Sequence, residues 1–113
     1  MRRVIIESPF RGDNYEKTEQ YKVYARRCMN DCIVRGEAPF ASHLLYTQPG
    51  VLRDEVARER ELGIRAGLEW GQCADATVVY KDYGVTSGME LGIEEADKRG
   101  RPIEERTIGE NEG

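Results

Sequence analysis

No apolar run in the chain approaches the roughly 18–20 residues that a helix needs to cross a bilayer. Met1-Arg2-Arg3 leads into a short strand-like run, not into the apolar core of a secretion signal. The expected setting is therefore the cytoplasm, with no membrane partner. Concentrated positive charge is also missing. The 17 Lys and Arg stand against 21 Asp and Glu, for a net charge of −4, and Arg26-Arg27, Arg58 and Arg60 are interleaved with acids. Binding a nucleic-acid polymer needs a basic surface that neutralises phosphates, so that partner class is excluded and small metabolites fit better. Metal-ligand patterning is absent as well. Cys28 and Cys32 lie four apart, on one face of an expected helix, with no histidine near them, and Cys73 stands alone. They read as buried reduced thiols, with redox chemistry or a metal as the alternative. No internal repeat or low-complexity segment occurs, and neither a metal nor an organic cofactor is expected.

What is present is a soluble globular balance, with 39 % hydrophobic and 34 % charged residues. A chain of 113 residues holds one modest core, expected over residues 1–108 with 109–113 as a flexible C-terminal tail, and the polar run Ile108–Gly113 is expected to fray. Arg3–Glu7 is a β-branched run suited to a buried first strand, and Pro9 and Gly12 mark the loop that follows. From Asn14 to Val34, Tyr21, Tyr24, Ala25, Cys28 and Cys32 recur at helical spacing. Asp13 or Asn14 can cap that helix, and Arg35-Gly36 ends it. Glu37–Leu45 predicts a second strand with its exit loop, and Pro39 places the strand at a sheet edge. Tyr46–Gly50 is a turn, and Val51–Gln72 a charged helix. Its Gly63, Gly67 and Gly71 form a bare stripe at i, i+4 and i+8. Each glycine costs about 1 kcal/mol in a helix interior, so something must approach that stripe closely, a packed element or a ligand. A third strand follows at Ala76–Tyr80, then a helix from Ser87 or Gly88 to Lys98, and a last short strand at Arg101–Thr107. The alternation β-α-β-α-β-α-β predicts a small Rossmann- or flavodoxin-like three-layer α/β sandwich with a parallel sheet of four or five strands.

Such a sheet places ligands beside the carboxyl ends of its strands. The loops after the first three strands bring together Ser8, Phe10, Arg11 and Gly12, then His43, then Asp82 through Glu90. A guanidinium, a glycine turn and a helix start can seat an anion or a sugar hydroxyl. Thr86-Ser87-Gly88 adds a second helix start, where Thr86 or Ser87 either binds ligand or only caps the helix. Glu90 falls in the first turn of that helix. A carboxylate there either complements the dipole or attacks an anomeric carbon, with Asp82 as the nearest acid to assist the leaving group.

Ser87–Pro102, SGMELGIEEADKRGRP, resembles the signature of the nucleoside 2-deoxyribosyltransferase family and the related deoxynucleoside 5′-monophosphate N-glycosidases. Its most specific part is Gly88-Met89-Glu90-Leu91-Gly92. Ser8-Pro9-Phe10-Arg11-Gly12 is similar to the family's first, ribose- and phosphate-contacting loop, and Gly67–Val79 to the segment entering its third strand. The resemblance implies that Glu90 is the nucleophile on C1′, Asp82 a group near the base, and Ser87, with Gly88 and Met89, a phosphate or 5′-hydroxyl contact. It also implies a homo-oligomer, dimer or tetramer. The chain departs from the family at Gly67, where the family carries an aspartate that assists the leaving base, and at Glu7, where it often has an aromatic or small polar residue.

Two functions follow. One is cleavage or transfer of a nucleoside or nucleotide N-glycosidic bond through a glutamate nucleophile. The other is a non-catalytic nucleotide-binding module of the same fold. A plain interaction domain with a structural Glu90 is a third, blander possibility.

Overall fold

The computed structural model describes residues 1–109. Four parallel strands form one sheet in the order β2-β1-β3-β4: β1 at Arg3–Glu7, β2 at Ala38–Phe40, β3 at Ala76–Tyr80 and β4 at Ile103–Arg106. Helix α1 (Tyr15–Val34) links β1 to β2. A short α2 (Ser42–Leu45) and α3 (Ala57–Gly71) lead to β3, and α4 (Ser87–Lys98) leads to β4. The expected parallel α/β sandwich is what forms, with four strands. No helix among the described residues is long and apolar enough to cross a membrane.

Period-two alternation sorts the strand residues between two layers. Val4, Ile6, Ala76, Val78 and Tyr80 face α1 and pack with Tyr24, Cys28 and Cys32 into the main core. Cys28 and Cys32 are buried free thiols, whereas Cys73, beyond α3, is exposed. Ile5 and Glu7 point to the opposite layer, where α3 and α4 lie with a pocket between them. Across the sheet, Arg106 at the end of β4 crosses to Glu37, just before β2, in a two-pronged ion pair of 2.7 and 2.8 Å that is buried on both sides. Arg2 and Glu104 extend it into a four-residue network.

Helix ends follow local chemistry. Asn14 caps α1 by accepting from the Lys17 amide at 2.8 Å. Gly36 and Gly100 follow α1 and α4 at φ of +83° and +67°, a region that favours glycine. Pro39 sits on β2, an edge strand as expected.

Three expectations need correction. The second strand stops at Phe40, because Leu44, Leu45 and Tyr46 turn back to bond the carbonyls of Ala41 and Ser42, which makes 42–45 a helix and not a strand exit. Helix α3 begins at Ala57, six residues later than its charge pattern implied. Two charged residues of 51–56 bond outside a helical ladder instead: Arg53 grips Glu59, six residues on, through its amide and guanidinium, and Asp54 is drawn to Arg11. Ile108, expected in a frayed tail, packs against the core, and its amide donates to both carboxylate oxygens of Asp82. The rest of that tail, residues 110–113, lies outside the described residues.

Candidate functional site

The pocket between α3 and α4 has a volume of about 580 Å³ and opens at the carboxyl edge of the sheet. Its floor is Ile5 and Glu7, and its walls come from Ser8, Phe10 and Arg11 after β1, Ser42 and His43 on α2, α3 through Gly67, and Ser87–Met89 at the start of α4. Ser8, Phe10, Arg11, His43, Ser87, Gly88 and Met89 are thus brought together as the sequence implied. Gly12, Asp82 and Glu90 are not among the lining residues.

Each wall has a local cause. Ser8 and His43 meet through a 2.8 Å hydrogen bond between Oγ and Nε2, and the edge of Phe10 stands against the imidazole. Burial pushes the His43 pKa down to about 4, so its ring is neutral at physiological pH. Arg11 is held by Asp54, donating to its carboxylate and its backbone carbonyl. Thr86 caps α4, its hydroxyl accepting from the Met89 amide at 3.3 Å while its own amide donates to the Met89 sulfur. With Thr86 doing the capping, Ser87 and Gly88 are free to face the pocket. Gly12 serves its own loop instead, donating to the Thr18 hydroxyl at 2.9 Å.

The glycine stripe on α3 is explained by packing. A Cβ at Gly67 would lie 2.7 Å from both Cβ and Oγ of Ser42, so the bare position lets α2 press against α3. An aspartate at 67 has no room while α2 keeps this place. Gly63 takes Leu52 and Tyr46 in the same way, and Gly71 takes Arg101, whose guanidinium donates to the Gly71 carbonyl and the Thr77 hydroxyl.

Glu90 projects away from the pocket and is exposed. At about 100° per residue, Ser87, Gly88, Leu91 and Gly92 share one face of α4 and residue 90 falls on another. Asp82, in the β3–α4 loop, is turned to α1. It accepts from the Tyr24 hydroxyl at 2.6 Å and from the Ile108 amide, while its own amide donates to the Tyr24 oxygen. Tyr83 packs edge-on against Tyr21 and Tyr24, so this loop is clamped to α1. Tyr24→Phe should therefore lower stability by about 1.5–3 kcal/mol, as expected for losing a hydrogen bond to a charged group. Urea unfolding monitored by circular dichroism measures it; an unchanged midpoint would mean that the clamp carries no stability.

Of the two acids that line the pocket, Asp54 is tied to Arg11, and the one on the floor is Glu7, which was not among the residues expected there. Its carboxyl lies on the backbone of α4 at Gly92, where an added Cβ would overlap the carboxylate. Burial pushes its pKa up to about 8, against the opposing charge of Arg101. Two signals in the sequence pointed to it: an acid at the carboxyl end of a buried β-branched strand, and a glycine pair at 88 and 92 that marks the pocket face of α4.

Residues 2–106 match a family described as Domain of unknown function (DUF7768). The chain belongs to that family. Among curated proteins, none matches it. Among solved structures, this DUF7768 chain is similar to a 2-deoxyribosyltransferase from the psychrotolerant bacterium Bacillus psychrosaccharolyticus, described as a biocatalyst for the synthesis of nucleosides. The TM-score is 0.63 at 19 % identity, over 96 % of this chain and 74 % of that one. The fold is shared at that distance.

Proposed function

We propose that the pocket binds a nucleoside or its 5′-monophosphate and cleaves or transfers the N-glycosidic bond through a carboxylate that attacks C1′. The observation that carries this reading is the pocket's position. Strands β1 and β3 are neighbours, yet the chain leaves β1 through α1 on one face and β3 through α4 on the other. The crevice at such a switch point is where open α/β sheets take ligands. The groups there match the parts of a nucleotide. The start of α4 with Ser87 suits a phosphate or 5′-hydroxyl, Ser8 and His43 suit sugar oxygens, and Phe10 offers a ring to a base. The volume falls in the usual range for small-molecule sites, and the shared 2-deoxyribosyltransferase fold supports the same reading. Self-association belongs to the proposal, since Leu62 and Trp70 on α3 and Leu91 on α4 leave apolar surface exposed.

A nucleotide-binding module without turnover is the second reading. It is favoured by Glu90 lying off the pocket, by Asp82 being occupied, and by the absence of an acid at Gly67.

The test is incubation of the purified protein with a panel of nucleosides and 5′-monophosphates, with chromatographic detection of free base. Release of base from at least one compound is expected. No release, together with thermal stabilisation by a nucleotide, would establish the binding module instead.

A further inference from the structure

The proposed reaction needs a carboxylate at C1′, and the pocket offers two. Asp54 is already held by Arg11 at the rim. Glu7 lies on the floor, and among the described residues its side chain receives no hydrogen bond; only the charge of Arg101 reaches it. A half-buried carboxyl on a pocket floor without a hydrogen-bond donor is costly to ionise, and groups perturbed in this way cluster at functional sites. We propose that Glu7, rather than Glu90, is the nucleophile that attacks C1′ of a nucleoside bound in this pocket. This rests on the N-glycosidic reading above and assigns its central residue.

Three features support the assignment. Glu7 ends β1, so its backbone is fixed by pairing with β3 at Val79. Its carboxyl is seated on α4 at Gly92, the last residue of the Gly88–Gly92 motif, which gives that glycine a reason: any side chain there would displace the acid. Ser8, the next residue, lies beside His43 where sugar oxygens would sit. In the first step a Glu7 oxygen bonds to C1′ as the C1′–N bond breaks. The electron pair leaves with the base, which takes a proton from water at the pocket mouth. In the second, water adds to C1′ as the bond from C1′ to the Glu7 oxygen breaks, and it gives its proton to the hydroxide left when the base was protonated, which releases the sugar and restores the carboxylate; a second base in place of water gives transfer. Desolvation makes the ionised form of Glu7 a stronger base than an ordinary carboxylate, and positive charge developing on the sugar ring favours that form. The other ionisable groups lining the pocket are Arg11, His43, Asp54, Arg60 and Arg101.

The experiment extends the same substrate panel to Glu7→Gln, Glu90→Gln and Gly92→Ala, with a 2′-fluoro nucleoside as a trapping probe read by peptide mass spectrometry. Glu7→Gln should cut base release by roughly 10³-fold or more, while thermal stabilisation by the same nucleotide persists. Glu90→Gln should stay within about threefold of the parent, the usual scale for a surface substitution that removes no contact. Gly92→Ala keeps the carboxyl but moves it, and should cost roughly 10²-fold. The trapped sugar should appear on the peptide containing Glu7, and activity should rise with pH to a plateau above about 8. Base release that survives Glu7→Gln and is lost in Glu90→Gln, or an adduct on the Glu90 peptide, overturns the assignment while leaving the N-glycosidic reading intact. A rate that falls as pH rises towards 8 overturns the nucleophile role in favour of proton donation. No release by the parent protein from any compound overturns both.

Discussion

Glu37→Ala should destabilise the protein by about 3–5 kcal/mol, the usual consequence of removing one partner from a buried ion pair. Arg106 is only 6 % exposed, and Glu37 supplies both of its short carboxylate bonds, at 2.7 and 2.8 Å. Without Glu37 the guanidinium keeps one bond to the half-exposed Glu104 and long contacts with the Tyr80 hydroxyl and the Cys32 sulfur. That one carboxylate bond offsets only part of its desolvation. For a domain of this size the loss corresponds to a fall in Tm of at least roughly 10 °C, which scanning calorimetry would register. Glu37→Leu combined with Arg106→Met should recover most of it, because apolar side chains of similar volume carry no desolvation penalty. A single variant as stable as the parent would show that the pair contributes nothing. The pH dependence has a definite sign. The Arg106 hydrogen bonds pull the Glu37 pKa down from 4.5 to about 2. The stabilisation is therefore complete above about 4.5 and is lost as pH falls towards 2.

Glu7 acts in the opposite direction and gives the second large effect. Its folded pKa of about 8 lies above the ordinary 4.5, so the folded chain keeps a proton that the unfolded chain releases. Its contribution is full below about 4.5 and declines as pH rises to about 8, with a slope of up to about 1.4 kcal/mol per pH unit. His43 opposes this between about 4 and 6.5. Its depressed pKa contributes stability that is complete above 6.5 and is lost as pH falls to about 4. The clear window for Glu7 is therefore from 6.5 to 8. Denaturant unfolding across that window should show the parent losing stability while Glu7→Gln stays level, so the variant becomes the more stable protein by pH 8. Parallel curves would mean that Glu7 is solvated like a surface acid. The comparison also bears on function, since a site that lowers stability at physiological pH is expected where chemistry or binding requires it.

Much of this architecture was legible from local chemistry. The β-branched runs at Arg3–Glu7 and Ala76–Tyr80, the helical spacing of Tyr24, Cys28 and Cys32, and the helix stop at Gly36 each act over a few residues. Boundaries were misread where a side chain took a partner that a continuous helix does not bring beside it. Arg53 took Glu59, Asp54 took Arg11, and the start of α3 moved to Ala57. The pocket was half legible. Ser8, Phe10, Arg11, His43 and Ser87–Met89 were expected from their loops and line it, because strand ends in a parallel sheet converge whatever their detail.

The sequence by itself determined the alternation of strands and helices, the edge position that Pro39 imposes on β2, and the loops that meet at one rim. Those features arise from periodicity, turn residues and the backbone donor that proline lacks. Only the tertiary structure decided whether Glu7 or Glu90 faces the pocket. Glu7 and Glu90 both lie beside loops that reach the site, and their positions along the chain do not rank them. The turn of α4 directs Glu90 outward, while the bare backbone at Gly92 leaves room for the Glu7 carboxyl. That choice depends on two elements 85 residues apart coming within contact distance, and local sequence carries no measure of it.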